Sequence, residues 1–351
     1  MKSFKNAKSF FHSISFYLLV IFSIVTVLFA ISCSDHNEVV EAPSVDYFDG
    51  SLIRYGDFIQ SSIPAYGVDG NKITAQQNRA QIYWYNVAPS PVKVTDILGN
   101  SAAVDPQKSN VNVMDVVYDP SQKGIYNTAE LTSELQSHWG GLFRALPDSV
   151  IKNFYKKNSI MKIWLKIDSA PPGAVLNIDI GKISEDIIPN GKLDTEDKNS
   201  NDLLDNGEDT GIDDIMDVLE PGYQNGNDPN NDDFEYHFGS GYERVNGSEG
   251  NGVLIDLGKK PDTEDLNRNY ALDLINDYFS YIIPLDTNEI IQNKIVEYGS
   301  NGWLQLKIPV DLPDLKIGSP SLQNVGSLRI WITNANQPVH IKIAQIKFDE
   351  I

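Results

Sequence analysis

Cysteine is almost absent from this chain. Its 351 residues contain one, Cys33, so no internal disulfide and no cysteine metal cluster can form. Histidine is scarce as well. His12, His36, His138, His237 and His340 stand apart from one another, each in the setting of a structural or solvated imidazole. No G-x-S-x-G, H-E-x-x-H, phosphate-binding or dinucleotide fingerprint occurs. Positive charge is short: 28 Lys and Arg face 48 Asp and Glu, a net charge of −20. Phosphate recognition needs clustered cations, so nucleic acid is excluded as a partner. Acid pairs abound, as a glycosidase would require. They lie in Asn- and Gly-rich loops that keep carboxylates ionised, whereas a general acid needs burial to raise its pKa. No enzyme is expected, and a glycoside-processing protein is retained only as an alternative.

What the chain has instead is acid in a repeated pattern. Residues 193–205 read L-D-T-E-D-K-N-S-N-D-L-L-D, and residues 261–273 read P-D-T-E-D-L-N-R-N-Y-A-L-D. Asp197, Asn199, Asn201, Asp205 and Glu208 fall at positions 1, 3, 5, 9 and 12 of a calcium loop, with the Leu203 carbonyl as a further ligand. Asp265, Asn267, Asn269, Asp273 and Asn276 repeat the spacing. Calcium takes roughly six to eight oxygens, which a tight loop must present from alternate residues. The EF-hand pattern is met imperfectly. Its turn glycine is replaced by Asp202 and Tyr270, and Asn276 cannot clamp an ion with two carboxylate oxygens. Solvated Asx turns would use the same residue types, but the duplicated D-T-E-D lead favours structural Ca²⁺, held more weakly by the second copy. Between Glu185 and Glu235 there are 17 Asp and Glu against two Lys, a stretch that repels itself unless cations neutralise it.

Residues 1–32 have the plan of a secretory signal: Lys2, Lys5 and Lys8, an apolar run from Ile14 to Ile31, then small residues. The ending Phe29-Ala30-Ile31-Ser32-Cys33 resembles the lipobox of bacterial lipoproteins, which implies lipidation at Cys33. An uncleaved signal anchor is the competing reading. Residues 33–44 read as the lipidated cysteine and a short tether.

From Val45 onward, period-two runs of β-branched and aromatic residues alternate with Gly, Pro and Asn turns. Strands are expected at 81–87, 111–118 with Val111, Val113 and Val117 inward, 161–167, 174–180, 278–285, 303–308, 327–332 and 340–348. Helical patterning is thin, at 129–136 and 149–156. Many strands with little helix give a mostly β fold: an antiparallel β-sandwich of jelly-roll type, like galactose-binding and carbohydrate modules. It would form one domain over 45–351, with an acidic insertion over about 184–275. In such modules the opening and closing strands are neighbours. Asp46, Asp49 and Asp349 then form a second, weaker candidate metal site. Trp84, Trp164 and Trp331 read as core; Trp139, beside two glycines, is the aromatic most open to exposure, and core is favoured for it too.

An ordered series of segments carries a family resemblance. It runs through Tyr47-Phe-Asp-Gly-Ser51, Asn78-Arg-Ala-Gln-Ile-Tyr-Trp-Tyr85, Val117-Tyr-Asp-Pro-Ser-Gln-Lys-Gly-Ile-Tyr-Asn127 and Trp139-Gly-Gly-Leu-Phe-Arg144. It continues through Ile178-Asp-Ile-Gly-Lys-Ile-Ser-Glu-Asp186, Asn246-Gly-Ser-Glu-Gly-Asn251, Pro261-Asp-Thr-Glu-Asp-Leu-Asn267 and Leu328-Arg-Ile-Trp-Ile332. Together these resemble the repeated soluble domain of SprA, the outer-membrane gliding-motility protein of the type 9 secretion system. The resemblance implies the domain fold and an envelope location, as an outer-membrane lipoprotein facing the periplasm or the cell surface. Translocon activity does not carry over, because one repeat-like unit cannot supply the strands of a membrane barrel. The expected partners are the membrane through the lipid, a protein of the envelope, and, in the alternative reading, a carbohydrate.

Overall fold

The computed structural model describes residues 47–350, except 87–91, 101, 103, 105–107, 155–158, 238, 240 and 254–259. Cys33, the tether and Asp46 lie outside the described residues. The strands, in chain order, are β1 (Ile59–Gln60), β2 (Ala80–Tyr85), β3 (Val92–Lys93), β4 (Asn110–Val111), β5 (Met114–Lys123), β6 (Trp139–Ala145) and β7 (Ser159–Ser169). They continue with β8 (Val175–Lys182), β9 (Asp277–Pro284), β10 (Ile295–Tyr298), β11 (Trp303–Pro309), β12 (Leu315–Ile317), β13 (Ser327–Thr333) and β14 (Val339–Glu350). One antiparallel sheet has the order β1-β6-β13-β8-β9-β12, the other β10-β11-β7-β14-β5-β2. The fold is therefore the mostly β, jelly-roll type of antiparallel sandwich that the strand pattern predicts.

The two sheets bury one continuous core. Ile163 and Leu165 of β7, Val116 and Tyr118 of β5, Ile178 and Ile180 of β8, and Ile330 and Ile332 of β13 all enter it. Alternation along each strand places these residues on one face. Val117 is only half-buried and lies on the opposite face of β5, contrary to its expected inward position. Val111 and Val113 are buried in a separate cluster with Val94, Ile97, Trp164 and Trp303, because β4 belongs to a small sheet with β3 and not to the sheet of β5. Trp84 sits in the main core, whereas Trp164 does not.

Strand β6 is not among the expected strands, because Gly140 and Gly141 interrupt its apolar run. Here glycine marks close approach rather than a turn. A Cβ on Gly141 would stand 2.8 Å from the Trp331 Cβ, and one on Gly140 would stand 3.0 Å from the Ile82 Cβ. The helical regions are short: α1 (Lys72–Gln77), α2 (Val94–Leu98), α3 (Asp148–Phe154) and α4 (Thr287–Asn293). Only α3 matches an expected helix. Residues 129–136 form no α-helix and end in a single tight turn at Leu135–Ser137. The opening segment lies beside the closing strand, with the Leu52 N–H donating to the Ile346 carbonyl at 3.0 Å.

β8 and β9 are adjacent and pair from Val175↔Pro284 to Lys182↔Asp277. Residues 183–276 thus leave and re-enter one sheet at a single point. Ile183, Ile187 and Ile212 of this segment pack with Ile125, Tyr126, Phe143 and Tyr278. The buried Arg79 pins its start. The guanidinium donates to the carbonyls of Ile187 (2.7 Å) and Ser61 (2.9 Å) and lies over the Trp139 ring at 4.9 Å. Asn246 returns to cover the free edge of β2. Its side-chain amide exchanges two hydrogen bonds with the Trp84 backbone, at 2.8 and 3.1 Å, satisfying groups that an edge strand leaves open.

Candidate metal loops in the acidic insertion

The two D-T-E-D motifs meet face to face. Thr195 and Thr263 form an antiparallel bridge. Each central glutamate is fully buried and accepts the N–H of the other motif's first aspartate: Asp262 N–H to Glu196 Oε2 at 2.7 Å, and Asp194 N–H to Glu264 Oε2 at 3.0 Å. Glu196 Oε1 also takes the N–H groups of Thr210 and Gly211, and Glu264 Oε1 takes that of Ile188. The Thr-Glu-Asp cores therefore act as a clasp. Burial raises the Glu264 carboxyl to about 8, against the backbone donors that lower it, and burial likewise raises Glu196.

From that clasp each loop folds the same way. The Asp197 carboxylate accepts the N–H groups of Asn201 (2.9 Å) and Asp202 (2.8 Å), and Asp265 accepts those of Asn269 and Tyr270. Asn201 Oδ1 takes the Leu203 N–H, and Asn269 Oδ1 takes that of Ala271. Asn199 donates to Asp205 and Asn267 to Asp273, at 2.8 and 2.7 Å. Left-handed backbone recurs at Ser200 and Asp202 (φ 57° and 60°) and at Arg268 and Tyr270 (φ 55° and 59°). Asp202 and Tyr270 thus adopt the turn that the calcium-loop pattern assigns to glycine, at the strain cost of a non-glycine residue there. The loops touch through Asp202, which accepts from Arg268 Nη1 and the Tyr270 hydroxyl.

The last ligand position differs from the sequence expectation. In the first loop Glu208 accepts the N–H groups of Lys198 (3.2 Å) and Asp205 (2.8 Å). In the second loop the same two places belong to Leu266 and Asp273, and both donate to Glu185. Asn276 is elsewhere, accepting the Ser184 N–H at 3.2 Å. The acid missing from the second repeat is supplied by Glu185, just beyond β8, where linear spacing could not reveal it. Asp186, Asn190 and Asp194 repeat part of the scheme just upstream, with Gly191 and Lys192 N–H groups as donors. An Asp followed by Asn at +4 and Gly at +5 was the available signal.

The donors of both loops are oxygens, and their carboxylates retain acceptor capacity beyond these bonds. They suit a hard cation. Asn199 and Asn267 present nitrogen to Asp205 and Asp273, so an ion at the loop centre requires those amides to turn their oxygens inward.

The third candidate site is differently placed. Asp349 pairs with Lys162 at 2.8 Å and Lys347 at 3.5 Å, and Asp49 is exposed. Ammonium groups take the place proposed for a metal there. His138 is a satisfied core imidazole between the Pro120 carbonyl and the Thr132 hydroxyl, while His237 and His340 pair with Glu235 and Asp115.

All five tryptophans are buried, Trp139 and Trp331 completely, so none forms an exposed platform. Trp331 lies outside the main core, its indole N–H donating to Asp179 at 2.9 Å beside the buried Arg329–Asp179 pair. The aromatic surface is made of tyrosines. Tyr83 and Tyr85 lie on the outward face of β2 with near-parallel rings 6.3 Å apart, and Tyr242 stacks on Tyr85 at 4.2 Å.

No protein-family model matches the chain, and no curated protein matches it. Solved structures similar to it include a family 11 carbohydrate-binding module from Clostridium thermocellum in complex with a β-1,3-1,4-mixed-linked tetrasaccharide. The match has 11% identity and a TM-score of 0.27, over 77% of this chain and 89% of that one. A family 30 carbohydrate-binding module matches at 11% identity and a TM-score of 0.27, over 76% of this chain and 77% of that one.

Proposed function

We propose that the chain is a non-catalytic binding module of the cell envelope, tethered through a lipid on Cys33 and stiffened by Ca²⁺ in its acidic insertion. The observation that carries this reading is the duplicated loop: two segments with the same D-T-E-D lead and Asx spacing adopt one hydrogen-bonding scheme. Each has an aspartate at its head and a glutamate, Glu208 or Glu185, closing it. The calcium orders the surface that a partner meets. The resemblance to the SprA repeat supports the envelope location and a protein partner, within gliding motility or type 9 secretion. Calorimetric titration of calcium into folded 34–351 tests the loops. Heat that is reduced in Asp197→Asn and again in Asp197→Asn/Asp265→Asn is expected; absence of heat from the wild type refutes the reading. Fatty-acid labelling that is lost in Cys33→Ala tests the anchor.

A second reading rests on the tyrosine face. Stacked phenol rings on an outward sheet face offer sugars an apolar surface beside polar groups. Here Asp115, His340 and Lys342 of the neighbouring strands supply the latter. In this reading the ligand is a glycan. Affinity electrophoresis in soluble polysaccharide should show retardation that Tyr83→Ala/Tyr85→Ala abolishes. Equal mobility of the two proteins in every polysaccharide removes this reading and leaves the protein-binding one.

A further inference from the structure

Away from the two loops, the insertion gathers another set of carboxylates. Asp213, Glu220 and Asp232 bring one oxygen each within 4.8 Å of one another, and Asp217, Glu220 and Glu249 do the same. Glu220 belongs to both sets. Among the described residues, no Lys, Arg or His forms an ion pair with any of the five. Arg244 is held by Asp228 and Asp233, and Lys198 by Asp214.

Hydrogen bonds satisfy only part of this cluster. Glu220 Oε2 accepts the Asn230 N–H at 3.1 Å, Glu249 Oε2 the Asp217 N–H at 3.2 Å, and Asp232 Oδ2 the Ser248 hydroxyl at 3.4 Å. Asp213 accepts from the Ile215 N–H and the Asn230 amide. Asp217 Oδ1, Glu220 Oε1 and Asp232 Oδ1 have no partner, although Asp232 is 0% and Glu220 4% exposed. Buried carboxylate oxygens with neither donor nor counter-charge are among the costliest features a fold can carry. Glu220 joins Asp232 in one set and Asp217 in the other, and an unpartnered oxygen on each of the three points to a cation.

We propose that Asp213, Asp217, Glu220, Asp232 and Glu249 form a divalent-cation site of calcium type, bridged by Glu220 and distinct from both loops. The donor set is all oxygen, which excludes soft-metal preference. Mg²⁺ usually takes one or two carboxylates and keeps several waters, whereas calcium accepts a crowded, irregular shell. The position gives the ion a job. Ser248 and the Ile212 N–H both bond the Tyr126 hydroxyl, so the ion sits directly behind the contact that docks the insertion on the sandwich. No residue of this site belongs to the Asp197 or Asp265 series, and the loops can fail while the site stands.

Native mass spectrometry of the folded protein in calcium, after dialysis against chelator, counts the ions. Glu220→Gln and Asp232→Asn should each bind at least one calcium fewer than the wild type. The same loss should appear when they are placed in the Asp197→Asn/Asp265→Asn background. If the loops bind nothing, that background matches the wild type while Glu220→Gln still falls below it. Equal counts in the wild type and in a folded Glu220→Gln or Asp232→Asn overturn the site, and if one variant does not fold, the other decides.

Discussion

Replacing Arg79 by Met should detach the insertion from the sandwich. The side chain is buried, and burial lowers its pKa to about 10, so its charge is already held at a cost that its bonds must offset. Methionine keeps the stem over Trp139 and removes the guanidinium. The Ile187 and Ser61 carbonyls, accepting at 2.7 and 2.9 Å, then lose charged donors, as does Gln76 at 3.2 Å. A hydrogen bond to a charged group contributes about 1.5–3 kcal/mol. Two buried ones, less the relief of the desolvated charge, give a loss of about 3 kcal/mol. At roughly 2–4 °C per kcal/mol in a large domain, melting should fall by roughly 6–12 °C. Arg268→Met is the control, since Arg268 makes one exposed ion pair with Asp202, and such pairs contribute about 0–1 kcal/mol. Differential scanning calorimetry of both variants checks the difference, with limited proteolysis of 183–276 as the local readout. Equal shifts in the two variants would refute the pinning role of Arg79.

Asp179→Ala leaves Arg329 buried without its carboxylate and orphans the Trp331 indole N–H. Chemical denaturation should show a loss of about 3–5 kcal/mol, and a loss under 1 kcal/mol would contradict the burial described. In a chelator, stability should fall as pH rises from about 5 to about 8. Burial raises Asp232 and Glu264 to about 8 and Glu220 to about 7 in the fold, above their ordinary values of 3.8 and 4.5. The folded state then holds more protons than the unfolded chain across that window, which makes the slope negative. Thermal unfolding across the range reads it, and a rising stability would contradict it. Glu185→Gln should weaken the second loop's calcium affinity about as much as Glu208→Gln weakens the first, as titration calorimetry would report.

The sandwich was legible where one face of a strand is buried. The expected strand at 303–308 lies within β11, where Leu304, Leu306 and Ile308 are buried and Gln305 and Lys307 half-buried, and β2 alternates in the same way. Legibility failed where a strand is covered on both faces. Trp164 and Trp331 are apolar on the outward side because other segments pack over them, a fact that periodicity does not encode. It failed again at Gly140 and Gly141, whose missing Cβ atoms serve neighbours far away in sequence. Among the candidate ligands, the Asx skeleton of both loops could be read from local spacing, since those bonds run over two to six residues. Glu185 could not, because it reaches its loop across 81 and 88 residues. The Asp213–Glu249 cluster was hidden for the same reason: its members become neighbours only once the insertion folds back on itself.

The central claim is that calcium organises the insertion. Hydrogen exchange of folded 34–351, with calcium and with a chelator, tests it most directly. Calcium bound only by the folded form at about a hundredfold excess over its dissociation constant stabilises it by about 2.7 kcal/mol. Amides in 186–276 that exchange when the insertion opens should therefore exchange about a hundredfold more slowly with calcium than with the chelator. Identical exchange across 186–276 in the two conditions would contradict the account.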